Sequence, residues 1–217
     1  MGEHDQTGLK VAEFLLRIKA IKLQPATPFT WASGWNSPIY CDNRLVLSYP
    51  DVRTYVRQSF VKIIEEFYPS PDRIAGVATG GIGIGALVAE EMGLPFCYVR
   101  SSSKGHGLQN QIEGRMDEGD TVVVIEDLIS TGGSSLKAVE ALRSSGAEIK
   151  GMCGIFTYGF DTAQEAFKAA NVQLKTLTDY HTLIEQAIKS GYVNDSDIDD
   201  LRAWRENPSL WKKETIS

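Results

Sequence analysis

Glu126 and Asp127, followed by Leu128-Ile129-Ser130-Thr131-Gly132-Gly133-Ser134, set two adjacent carboxylates at the head of a short loop of hydroxyls and glycines. Such a loop lets several backbone N–H groups point at one phosphate, and a helix beginning there adds a partial positive charge. Ser130, Thr131 and Ser134 add hydroxyl donors. Two carboxylates beside a phosphate would repel it, so they must face something else. Ribose hydroxyls, or a positive charge developing on a sugar ring, would suit them. The bland alternative, a strand end followed by a tight turn, accounts for the glycines but not for paired carboxylates ahead of a hydroxyl-rich nest.

A second chemical segment is Arg100-Ser101-Ser102-Ser103-Lys104-Gly105-His106-Gly107, which continues to Gly119 with almost no apolar content. A loop of that length inside a compact domain is usually a lid or disordered. A guanidinium, an ammonium and an imidazole separated by small residues make a clamp for pyrophosphate. A lone histidine is more often simply solvated, but His106 lies between two glycines, two residues after Lys104.

The run Gly81-Ile82-Gly83-Ile84-Gly85-Ala86 matches a dinucleotide fingerprint in form. That reading requires an acidic residue about 20 positions on, at the end of the next strand. Val99, Arg100 and Ser101 stand there instead. Ala78 to Gly81 therefore reads as another loop of close approach to the same ligand. For Gly83 and Gly85, tight helix–sheet packing serves equally well.

The elements that must position these groups follow from periodicity. Thr121 to Ile125, with three consecutive valines, is a buried strand that delivers Glu126 and Asp127 to its carboxyl end. Strands are also expected at 74–78, 95–99 and 149–157, alternating with helices at 82–92 and 134–145. This alternation implies an α/β fold with a mainly parallel central sheet flanked by helices. Upstream, Met1 to Thr7 reads as a polar tail. Val11, Phe14, Leu15 and Ile18 mark an amphipathic helix ended by Pro25 and Pro28, residues 29–47 give two short strands with a tight connection, and Pro50 opens a helix to Phe67. Downstream of Asp161 come helices and a strand near 172–177. The expectation is one domain over 1–217, its core at about 70–160, flanked by 8–48 and C-terminal helices.

Composition bounds the rest. The chain has 217 residues, 42% hydrophobic and 23% charged, enough for an ordinary core. A net charge of −6 and a pI near 5.2 argue against a nucleic-acid partner. The apolar, uncharged stretch 74–89 carries five glycines and is too short to span a bilayer. No basic segment precedes an apolar run at the N-terminus, and Cys41, Cys97 and Cys153 show no metal or disulfide spacing. These features lead to an expectation of a cytoplasmic protein without membrane contact.

The 122–134 segment closely resembles the phosphoribosyl-pyrophosphate signature of the type I phosphoribosyltransferases: strand, acidic pair, two variable residues, then a Thr- and Gly-containing loop. The resemblance implies that Ser130, Thr131, Gly132, Gly133 and Ser134 hold the 5′-phosphate, and that Leu128 and Ile129 belong with them to the segment that binds phosphoribosyl pyrophosphate. Glu126 and Asp127 would contact the ribose hydroxyls. Phe29-Thr30-Trp31-Ala32-Ser33-Gly34, Ser37-Pro38-Ile39-Tyr40-Cys41-Asp42-Asn43-Arg44 and Asn110-Gln111-Ile112-Glu113-Gly114 resemble the orotate phosphoribosyltransferases in particular, whose N-terminal segment forms a hood. That similarity implies pyrophosphate binding by Arg100, Lys104 and His106, with Lys104, His106 and Asp127 in catalytic roles. It places Ser130 beside orotate and the backbone of Tyr40 and Cys41 around the base. It also implies Mg²⁺ bound mainly through pyrophosphate and ribose oxygens rather than by side chains. A homodimer in which the 100–118 loop reaches the partner's site is implied as well.

The chain departs from the family at Ala32 and Gly80, where many members have lysines, and at Ser101 to Ser103, where a second lysine is often found. Tyr158-Gly159-Phe160 lacks an arginine that some members carry nearby. The expected activity is orotate phosphoribosyl transfer in pyrimidine synthesis. The alternatives are the same chemistry on a purine base, or a non-catalytic sensor of phosphoribosyl pyrophosphate.

Overall fold

A computed structural model of the chain describes residues 3–31, 34–101 and 111–212. Its centre is a six-stranded sheet of order β10-β9-β8-β5-β6-β7. The strands are β5 (Arg73–Val77), β6 (Phe96–Val99), β7 (Ile112–Glu113), β8 (Thr121–Ile129), β9 (Glu148–Thr157) and β10 (Leu174–Asp179). All neighbours are parallel except β7, which pairs antiparallel with β6. The valine-rich strand has a partner on each side, which is why it needs apolar residues facing both ways.

Those two faces are two cores. Val123 and Ile125 of β8 join a cluster with α1 (Glu3–Arg17), α2 (Pro50–Phe67), α3 (Gly80–Met92), α6 (Tyr180–Lys189) and α7 (Asp195–Glu206). Val122 and Val124 face α4 (Gly133–Ser144) and α5 (Asp161–Ala169). All four side chains are fully buried, each worth roughly 1.5–3 kcal/mol relative to exposure. At the opposite end from the candidate site, the buried Arg73 at the start of β5 pairs with Asp120 at 2.8 Å and Asp117 at 3.6 Å, fastening the turn that enters β8.

The structure corrects several expectations. The stretch read as a polar tail is helical from Glu3 onward. His4 pairs with Glu66 at 3.0 Å and packs on Phe67, so the end of α2 stabilises a turn whose own composition is polar. The first helix ends at Arg17, well before Pro25, with Lys19 left-handed at φ 58°. Ile21–Leu23 then forms β1, paired antiparallel with β4 (Ile39–Cys41). Residues 29–47 are more than a hairpin: β2 (Phe29–Thr30) and β3 (Asn36–Ser37) pair, β4 turns back to β1, and a 3₁₀ helix covers Asn43–Ser48. β8 runs four residues beyond Ile125, because its ladder to β9 continues through Glu126, Leu128 and Ile129. The part of the basic loop after Gln111 is likewise not all loop, since β7 closes it against β6. Among the described residues no helix is long and apolar enough to cross a membrane.

Candidate active site

The carboxyl ends of β5 and β8, the starts of α3 and α4 and the 3₁₀ segment at Asn43 meet around Asp127. Its backbone carbonyl accepts a hydrogen bond from Asn43 Nδ2 at 2.7 Å. Its side-chain carboxylate lies against Gly80, in the space a Cβ there would occupy. A Cβ on Gly81 would likewise strike the Ile125 carbonyl, so α3 begins in direct contact with the sheet backbone. The Ala78–Thr79 peptide in this loop is cis. Gly83 faces Leu47 and Gly85 faces Phe96, which fits the packing reading of those two glycines.

Downstream of β8 a short, open loop leads into α4. Ser130 is half-buried, while Thr131, Gly133 and Ser134 are exposed. Gly132 is the N-cap of α4 at φ 82°, and a side chain there would meet Phe167 as well as strain the backbone. No side chain caps α4, so the donors of its first turn are available to a bound anion. Leu128 and Ile129 belong to the strand. Ile129 is fully buried, and its carbonyl accepts from Thr157 Oγ1 and Tyr158 N.

The two carboxylates differ sharply. Asp127 is partly exposed, but Glu126 is only 5% exposed. Glu126 Oε1 accepts from the Asp127 N–H at 3.0 Å and Oε2 from Ser135 Oγ at 3.0 Å. Burial, followed by the hydrogen bond and charge of Asp127, pushes the Glu126 carboxyl up to about 9, against the smaller opposing effect of its two donors. Ser135, itself buried, is a site residue that the sequence reading missed. Its only signal was a second serine in the first turn of α4.

Arg100 lies at the mouth of the basic segment. Its N–H donates to the Gln111 carbonyl at 2.8 Å, and its guanidinium approaches Glu113 at 3.5 Å across the β6–β7 neck. Lys104 and His106 lie outside the described residues, as does Ala32.

On the other flank, Tyr40 is 41% exposed and Cys41 half-buried. The Cys41 thiol donates to Asn43 Oδ1 at 3.3 Å. Burial first, then the charges of Asp127 and Asp42, hold this thiol well above its ordinary range. Trp31 donates to the Ile39 carbonyl at 3.2 Å and packs on Tyr158 and Trp204. At the Tyr158-Gly159-Phe160 turn, where the sequence lacks a local arginine, Arg205 arrives from α7 and donates to the Gly159 carbonyl. Asn43 and Arg205, like Ser135, were not singled out from sequence. Asn43 and Arg205 find partners 84 and 46 residues away, a separation that no local pattern reports.

Residues 47–179 match the model of the phosphoribosyl transferase domain. An orotate phosphoribosyltransferase of Phocaeicola vulgatus is 60% identical over 201 residues, 93% of this chain and 95% of that protein. The crystal structure of orotate phosphoribosyltransferase from Aeropyrum pernix superposes with a TM-score of 0.74 at 29% identity, covering 85% of this chain and 99% of the other. The UMP synthase of Leishmania donovani superposes at 0.78 with 28% identity over 92% of this chain, which spans 42% of that longer protein. On these similarities the chain belongs to the orotate phosphoribosyltransferases of the type I phosphoribosyltransferase family.

Proposed function

We propose that this chain transfers the ribose 5-phosphate of phosphoribosyl pyrophosphate to orotate, giving orotidine 5′-phosphate and pyrophosphate, a step of pyrimidine biosynthesis. The observation that carries the reading is the placement of Asp127. It stands at the end of β8, beside the uncapped start of α4 and between the Gly80 loop and the Asn43 segment. The name borne by the 60% identical relative supports orotate over a purine. It supports an enzyme over a sensor.

In this reading the 5′-phosphate sits on the N–H groups of Ser130 to Ser134, a contact favoured by about 0.3–1 kcal/mol from the helix dipole alone. The base lies beside Ser130, framed by the backbone of Tyr40 and Cys41. As the bond from ribose C1 to pyrophosphate breaks and the bond to the orotate ring nitrogen forms, positive charge grows on the sugar. Asp127 beneath the ring favours that charge. Arg100, Lys104 and His106 stabilise the departing pyrophosphate and exclude water that would otherwise capture C1. Glu126 approaches the ribose from the buried side.

Among the described residues no group of three or more His, Cys, Asp or Glu converges as a metal site. A Mg²⁺ arriving with the substrate would take its ligands from pyrophosphate and ribose oxygens and its own waters. When bound, it supplies charge neutralisation of the leaving group. The functional unit is a homodimer whose 100–118 loop serves the partner's site, in a cytoplasmic setting compatible with three free cysteines.

Replacing Asp127 by Asn tests the assignment. Turnover at saturating substrates should fall about a hundredfold or more, the scale of losing one electrostatic contact to developing charge. Unchanged turnover would remove Asp127 from the chemistry.

A further inference from the structure

Between the two substrate subsites lies a buried polar side chain with no part in the chemistry above. Asn43 is 2% exposed. Its amide is used at both ends, the nitrogen donating to the Asp127 carbonyl at 2.7 Å and the oxygen accepting from the Cys41 thiol at 3.3 Å. The two partners are separated by 84 residues in one direction and two in the other. β8 pairs with β5 as far as Ile125. Two residues farther on, the donor to the strand is a side chain from the base-framing segment.

We propose that Asn43 is a positioning residue that fixes the distance between the base-framing backbone at Tyr40–Cys41 and the ribose-facing Asp127. This rests on the roles given to those residues in the proposed function. A buried amide with both ends engaged is costly to displace, because moving either element leaves a polar group unpaired. The tie is also short and direct, whereas the path along the chain from Cys41 to Asp127 runs through the 3₁₀ segment, α2, β5, α3, β6, β7 and most of β8. Glycosyl transfer needs the ring nitrogen and C1 held in line, and a misplacement of about 1 Å can cost about a hundredfold in rate. Asn43 touches neither substrate in this arrangement, so its loss acts on the approach of the two rather than on the affinity for either.

The test is steady-state kinetics on the full chain with Asn43→Leu and Asn43→Asp, alongside thermal melts. The Asp variant has nearly the same shape and keeps an acceptor for Cys41, but it loses the donor to Asp127. Both variants should lose about tenfold to a hundredfold in kcat, with KM for each substrate changed less than about threefold.

A folded Asn43 variant with kcat within about twofold of the parent would overturn the proposal. So would a loss that merely tracks the unfolded fraction. If Asn43→Leu does not fold, the Asp variant decides. Asp127→Asn run in parallel separates the two levels: if it keeps full turnover the site reading itself fails. If Asp127→Asn is inactive while a folded Asn43 variant is fully active, only the tie fails.

Discussion

Among the described residues, a backbone tie and close packing hold Asp127. Its carbonyl is fixed by Asn43 and its carboxylate fills the space above Gly80. At this position, where the chain departs from the lysine of many family members, a Cβ added in the present arrangement would meet the Asp127 carboxylate. We expect Gly80→Ala to lower kcat by at least about tenfold through misplacement of Asp127, with the melting temperature nearly unchanged, as steady-state rates and a thermal melt would show. An alanine variant with parental turnover would mean that the carboxylate has room to move. At this scale residue type alone marks the acidic pair and the hydroxyl loop as candidates for the chemistry. Asn43, Ser135 and Arg205 were invisible because an amide, a hydroxyl or a guanidinium becomes functional only through a partner brought close by the fold. Lys104 and His106 keep only the roles that the family resemblance implies.

The elements that present the site form one unit, a strand running into a helix. Glu126 binds them together, accepting from the Asp127 N–H on the strand and from Ser135 in the first turn of α4. Its raised protonation equilibrium makes this tie sensitive to pH. In the unfolded chain the carboxyl ionises near its ordinary value of 4.5, and in the folded protein only near 9. Between these values the folded state holds the extra proton, so the contribution of Glu126 to stability is full below about pH 4.5 and is lost as pH rises toward 9. Denaturant melts of the ligand-free protein at pH 6 and about 8.5 should show this fall, and Glu126→Gln should flatten it. An identical pH slope in the Gln variant would show that Glu126 ionises normally. The same acidic pair explains why β8 looked shorter in the sequence than it is. Two carboxylates interrupt the apolar run, yet the parallel ladder to β9 continues past them. The first turn of α1 was hidden for the converse reason, since its support comes from α2 rather than from its own periodicity.

For the whole molecule, alternation of strands and helices was enough to give the parallel sheet with a layer on each face, because β8 must bury both sides. The antiparallel β1–β4 pair and the 3₁₀ segment were not legible, being set by long-range pairing of very short strands. The proposed shared site has a direct consequence in the assembled protein. Mixing inactive Lys104→Ala and Asp127→Asn subunits should restore about one quarter of parental activity, since half of randomly formed dimers hold one intact site. No recovery after verified subunit exchange would place the basic loop over its own subunit's site. The reaction itself is tested most directly by the absorbance of orotate on mixing protein, orotate, phosphoribosyl pyrophosphate and Mg²⁺. Loss of the orotate band that stops on adding EDTA is the predicted result. A band that persists while hypoxanthine or another base releases pyrophosphate would contradict the choice of base, and silence with every base would contradict transfer altogether.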